Sequence, residues 1–226
     1  MKKFGRLALP TLGASALVIA SATAALASAK ITTTDGTPYS GEVRATNVGN
    51  VTLSGVSALG TIVTTCTSST LDAYVNSDGT GGRLDNVALS GCTNNRSGTT
   101  TITALDLPYS GGQVDYAPVS GGRDATLTIF APNPTVHIQA VLDLPTLGIS
   151  LTCHYGLSTS TPLVLDLFNA TKDSPGRGKL AGQSLQRRTS PAPDPRCPAS
   201  VSANGDFQIV AYPSNANLQV GPGGGS

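Results

Sequence analysis

Two pairs of cysteines, each introduced by the same kind of segment, constrain this chain more than any other feature. Leu59-Gly-Thr-Ile-Val-Thr-Thr-Cys66 is an apolar run ending in a cysteine, answered by Cys92 in Leu89-Ser-Gly-Cys92. A shortened copy, Leu147-Gly-Ile-Ser-Leu-Thr-Cys153, is answered by Cys197. Each copy reads as a strand, an excursion and a second cysteine, which predicts a chain built from two stapled halves. The pairing is open from sequence alone, and the repeat favours Cys66 with Cys92 and Cys153 with Cys197. On the chain-entropy account each such bridge contributes about 3 to 4 kcal/mol. A metal centre would need close Cys-x-x-Cys spacing or neighbouring histidines, and these cysteines have neither.

Paired cysteines fit an oxidising compartment, and the N-terminus agrees. Lys2, Lys3 and Arg6 precede an apolar, acid-free run from Leu7 to Leu26, and Ala27-Ser28-Ala29 supplies the small residues of a cleavage site. Residues 1–29 are therefore expected to be a signal peptide cleaved before Lys30, with Ala22-Thr23-Ala24 and Ala25-Leu26-Ala27 as other fits. Pro10, Gly13 and the alanines make a poor membrane anchor, so release without a membrane span is expected. The leader holds three of the 14 Lys and Arg residues that face 13 Asp and Glu. The remaining chain is near neutral, and its bulk charge selects no partner, nucleic acid included.

Along residues 30–212 the signal is one strand after another. Short Val-, Thr-, Ile- and Leu-rich runs are broken by Gly, Asn, Asp and Pro, and no window carries helical spacing. Ala125, Leu127, Ile129 and Ala131 share a face, as do Val136, Ile138, Ala140 and Leu142, and then Ile149, Leu151, Cys153 and Tyr155. These runs predict the core strands. Leu163, Leu165 and Leu167 continue the period of two, and Asn204-Gly205 predicts a hairpin between Ala199–Ala203 and Phe207–Tyr212. The expected fold is all-β: an antiparallel β-sandwich or a closed, barrel-like sheet of about ten strands, the sandwich slightly preferred.

Two segments read as non-strand. Residues 172–196 carry Lys172, Arg177, Lys179, Arg187, Arg188 and Arg196 against Asp173 and Asp194, with Pro175, Pro191, Pro193, Pro195 and three glycines. This predicts a long basic loop tethered by Cys197. Residues 213–226, ending Gly-Pro-Gly-Gly-Gly-Ser, predict a disordered tail. Leu105-Asp-Leu-Pro108 recurs as Leu142-Asp-Leu-Pro145, either a duplication or two similar strand ends.

Chemistry-bearing residues are few. The only imidazoles are His137 and His154, both out of phase with the apolar face of their strands and expected to be solvent-facing or loosely packed. Glu42 is the sole glutamate, and no G-x-S-x-G or H-E-x-x-H occurs. Asn76-Ser77-Asp78-Gly79 with Asp85 matches part of a calcium loop, but Tyr74 stands where the first ligand belongs, so a plain turn is expected. Tyr109, Tyr116 and Tyr155 are too few and scattered to predict a sugar platform. No catalytic residue, metal or cofactor is expected.

The strand Thr-Cys66-Thr, the return Ser-Gly-Cys92-Thr, the strand Leu-Thr-Cys153-His-Tyr-Gly and the late Cys197-Pro-Ala resemble secreted four-cysteine β-rich proteins of actinobacteria. The resemblance implies export, a β fold and paired cysteines, and it carries no activity onto any residue here. The leading functional expectation is a secreted, non-catalytic extracellular or cell-surface protein, of structural or binding role. In it Arg177, Lys179, Arg187 and Arg188 would contact an anionic envelope polymer, leaving the protein cell-wall associated. The alternative is a secreted hydrolase using His137 or His154 with Asp106, Asp143 or Asp166.

Overall fold

The computed structural model describes residues 27–224. Most of the leader read from sequence, residues 1–26, therefore lies outside the described residues. Among the described residues 14 strands form one antiparallel sheet, more than the ten or so expected. They are β1 (Ala27–Thr33), β2 (Gly41–Asn47), β3 (Val51–Ser57), β4 (Gly60–Val75), β5 (Gly82–Asn94), β6 (Thr100–Leu105) and β7 (Tyr109–Tyr116). Then follow β8 (Ala125–Ile129), β9 (His137–Leu144), β10 (Ile149–Gly156), β11 (Leu163–Phe168), β12 (Gly176–Arg187), β13 (Ser200–Ala211) and β14 (Leu218–Pro222). The only helical element among them is one 3-10 turn, Pro145–Leu147.

The sheet closes on itself, which decides against the sandwich. One circuit runs β12–β11–β8–β7–β5–β4–β2–β13 and returns to β12. A second runs β12–β10–β9–β6–β5–β4–β3–β13 and returns likewise. The long strands β4, β5, β12 and β13 belong to both circuits, so the two halves suggested by the cysteines are interleaved in one body. The closing contact is Gly82 opposite Gly112. A Cβ on Gly82 would come within 2.6 Å of the Gly112 carbonyl oxygen, so only glycine lets β5 and β7 meet there. A closed ring of about eight strands has an interior just wide enough to be filled by side chains or to hold one small ligand.

Both disulfides pair as the repeat favoured. Cys66 and Cys92 stand opposite one another on β4 and β5, and Cys153 on β10 joins Cys197 just ahead of β13. Around the second bridge Leu142, Leu144, Leu151, Tyr155 and Val201 pack into a solid core.

Three local readings are corrected. The basic loop contains strand β12, which pairs with β13 along one edge and with β11 and β10 along the other. Its glycines misled because Gly176 and Gly178 face inward, where their lack of side chain makes room, while Arg177 and Lys179 project outward. Asn204-Gly205 makes no hairpin: β13 runs straight through it, with partners on both sides. The bend sits opposite, in the β12 bulge between Leu180 and Gln183, where Gly182 has φ +62 and its N–H donates to Asn204 Oδ1 at 2.7 Å. The tail also contributes strand β14, which pairs with β1 from Ala29↔Pro222 to Thr33↔Leu218. Asn169 secures it, accepting from the Val220 N–H at 2.6 Å and donating to the Val220 carbonyl at 2.9 Å. Ala29, assigned to the leader, is 2% exposed and packs with Ile31, Val75 and Val220.

Candidate functional site

The alternation of the strands aims one row of apolar residues from each strand into the first circuit. Leu71 and Val75 of β4, Leu84 and Leu89 of β5, Leu127 of β8, Leu165 and Leu167 of β11, and Phe207 and Ile209 of β13 converge there. They do not fill it: a cavity of about 280 Å³ remains, bounded by these residues and by Ile102 and Ile138 of the second circuit. Leu71, Leu127, Leu167 and Ile209 point inward yet are only half-buried, because they border this cavity. Gly176 and Gly178 contribute width where leucines would otherwise meet; a Cβ on Gly178 would lie 2.8 Å from Ile209 and 2.9 Å from Leu165. The β1–β14 ribbon lies across one end, through Ile31, Leu218 and Val220. The lining side chains are almost wholly hydrocarbon, so the cavity can solvate an apolar molecule and offers a polar one no partners.

A second constellation lies on the outer face of β6, β9 and β10. Register sets Leu105 opposite His137 and Gln139 opposite His154, so the two histidines share a sheet face. Asp106 follows β6 in a left-handed conformation, φ 59, which turns its carboxylate back toward β9. Asp106 Oδ2 lies 2.8 Å from His137 Nδ1, and His137 Nε2 lies 2.8 Å from His154 Nδ1. The His137 side chain is 10% exposed against 58% for Asp106, which overturns the expectation of a solvent-facing His137. The Tyr109 hydroxyl donates to the His137 carbonyl at 2.5 Å. Ring centroids 5.0 Å apart across a 2.8 Å nitrogen contact mean that the imidazoles meet nearly head-on, as a shared hydrogen bond requires. Burial, then the neighbouring His137 and Arg188, hold the His154 pKa below its ordinary 6.5.

With Asp106 accepting from His137 Nδ1–H, Nε2 of His137 becomes the acceptor for His154 Nδ1–H, and Nε2 of His154 keeps its lone pair. The chain can hold and move a proton. A hydrolase would also need a hydroxyl or thiol beside it, and among the described residues no serine, threonine or cysteine side chain hydrogen-bonds either imidazole. Nor do three or more His, Cys, Asp or Glu residues gather as metal ligands among the described residues.

Of the aspartates considered as partners, only Asp106 reaches a histidine. Asp166 pairs with Arg123 at 3.5 Å, and Asp143 lies on β9 beyond the histidines. The two Leu-Asp-Leu-Pro copies thus differ in role: the first turns the chain after β6, the second ends β9. The four basic residues separate into two places. Arg177 and Lys179 are exposed near the start of β12, while Arg187 and Arg188 stand about 30 Å along the strand, at its far end. Arg187 donates to the Cys197 carbonyl at 2.6 Å, and Arg188 to those of Pro134 and Val136 at 2.9 and 3.2 Å. Both therefore tie down backbone. The Asn76–Gly79 loop is a turn in which Asp78 accepts from the Thr80 N–H at 2.9 Å and from its hydroxyl at 2.6 Å.

The cavity is not legible in the sequence, whose inward leucines look the same whether they touch or leave a gap. Its only advance signal was glycine at inward-facing positions of otherwise good strands. No helix among the described residues is long and apolar enough to cross a membrane. Comparison with protein-family models, curated proteins and solved structures gives no match.

Proposed function

We propose that this chain is a secreted, non-catalytic binding protein that carries one small apolar molecule inside its closed sheet. The observation that carries the reading is the hydrocarbon-lined cavity of about 280 Å³. That volume is close to the lower end of ordinary ligand sites, roughly 300 Å³ and upward, and well above the roughly 150 Å³ at which a purely apolar cavity already takes up benzene. Export supplies the context: paired cysteines suit an oxidising compartment, and a carrier outside the cell keeps an insoluble molecule out of water. Arg177 and Lys179, exposed on one face of β12, would give the carrier its contact with an anionic envelope polymer.

Titration of the purified protein with N-phenyl-1-naphthylamine, whose fluorescence rises in apolar surroundings, tests this. Saturable binding at one probe per chain is expected, with loss of that binding in Leu127→Trp, which fills the cavity. Circular dichroism establishes that the variant is folded. Absence of saturable binding to the wild-type protein, or unchanged binding to a folded Leu127→Trp, overturns the reading. Retention on purified cell wall, compared between wild type and the Arg177→Ser, Lys179→Ser double variant, tests the polymer contact separately.

A further inference from the structure

The outer-face histidines and the cavity share a wall. Val136 and Ile138, on either side of His137, both line the cavity, and so does Tyr109, whose hydroxyl holds the His137 carbonyl. His137 pairs with Leu105 at the end of β6, and its ring bridges from there to β10. The β9–β10 ladder runs from Ile149↔Leu144 to Tyr155↔Ile138, so the histidines sit at its last pairs, while the other edge of β10 meets β12 at Tyr155↔Arg187. The side-chain bond from His137 to His154 therefore clamps the last pairs of the β9–β10 ladder.

We propose that Asp106, His137 and His154 form an acid-released latch on this wall: protonation of both imidazoles breaks their hydrogen bond, lets the last pairs of the β9–β10 ladder open and frees the apolar ligand. The proposal rests on the carrier reading above, since it concerns release from the same cavity.

With both rings neutral, His137 donates to Asp106 and accepts from His154. One added proton leaves both bonds in place, because an imidazolium at His137 donates on both sides and faces the Asp106 carboxylate. A second proton from solvent puts an N–H against an N–H across 2.8 Å, on two cations whose centroids are 5.0 Å apart. The bond between the rings then becomes a repulsion. The ionisable groups around the pair are Asp106 from the turn after β6, Tyr109 from β7 and Arg188 from the segment after β12. Their balance is one carboxylate against one guanidinium, so nothing further compensates a second imidazolium. Thr103 and Leu105 on β6 and Gln139 on β9 are uncharged.

His154 binds its proton less readily in the folded protein than the ordinary value of 6.5, so the unfolded or opened state takes up more protons. The closed wall is favoured above about pH 6.5 and loses that advantage as pH falls below it.

Two measurements test the latch. Affinity for N-phenyl-1-naphthylamine is expected to fall about tenfold or more between about pH 7.5 and pH 5 in the wild-type protein, the scale set by roughly one extra proton taken up on opening. His154→Gln keeps a hydrogen-bond donor and cannot take the proton, so its affinity should change by less than about twofold. Unchanged wild-type affinity, or an equal fall in the variant, overturns the latch. Amide-exchange protection in residues 137–144 and 149–156 provides the second measurement on the wild-type protein, expected to drop selectively over the same pH interval. If the probe binds at neither pH, the carrier reading has failed. The latch then stands or falls on exchange alone, as it does if His154→Gln does not fold, and protection that is indifferent to pH sinks it.

Discussion

Tyr155 shows how completely one position can be governed by its surroundings. It is 3% exposed in the packed core of the second circuit, and burial pushes its phenol pKa up to about 12, with Arg187 opposing. Burial also raises Tyr39 and Tyr109 above the ordinary 10.0. In each case the folded state keeps a proton that the unfolded chain releases, so stability falls as pH rises above 10.0. For Tyr155 that loss extends to about 12. Ultraviolet titration of tyrosinate should show Tyr39, Tyr109 and Tyr155 ionising above the ordinary 10.0. In Tyr155→Phe the alkaline loss of stability should be shallower than in the wild type, measured by urea unfolding at stepped pH. At the same scale, the head-on meeting of His137 and His154 makes a hydrogen bond whose survival depends on leaving one ring neutral.

Among the elements, β14 is the one whose contribution composition least suggests. Leu218 and Val220 are 8% and 9% exposed, and the strand closes over the cavity end beside Ile31. Gln219 adds a bond from its side-chain amide to the Ala170 carbonyl at 2.9 Å, so β14 is held at both edges, by β1 and by residues 169–170. Deleting residues 214–226 should cost about 3 to 6 kcal/mol, the transfer free energy of two large aliphatic side chains, and should abolish probe binding. Deleting only residues 224–226 should leave both unchanged. Denaturant midpoints with probe titrations on the two truncations make the comparison, and equal behaviour would return the tail to the role of a solvated appendage.

For the whole molecule, closure of the sheet is the organising fact. Every strand of the two circuits has a partner on each side along part of its length, so edges open to pairing with other chains are confined to the ends. The disulfides reinforce closure in different ways: Cys66–Cys92 links strands already paired, over a separation of 26 residues, and Cys153–Cys197 ties β10 to the start of β13 over 44. The chain-entropy account gives each about 3 to 4 kcal/mol, slightly more for the longer loop. Thermal unfolding of Cys66→Ala/Cys92→Ala and Cys153→Ala/Cys197→Ala should therefore show losses of similar size. A far larger effect for either would mean that its bridge holds native geometry as well as restricting the unfolded chain.

The sequence by itself determined the all-β class and the faces of β8 to β11, because each is written in short-range period, and its repeat favoured the cysteine pairing that the structure then decided. Leu127, Ile129, Ile138 and Leu151 declare their inward face by alternation alone. Only the tertiary structure decided that the sheet closes, since Gly82 meets Gly112 across a gap of 30 residues that no local pattern encodes. It also decided that Gly176–Arg187 and Leu218–Pro222 are strands: both look like loops until partners on either side satisfy their backbone. Asp106 reached His137 the same way, through a left-handed turn and a strand register 31 residues apart, and the cavity exists because leucines from opposite walls stop short of touching. Periodicity tells which way a side chain points; what it meets there depends on the curvature of the closed sheet, a property of all the strands together.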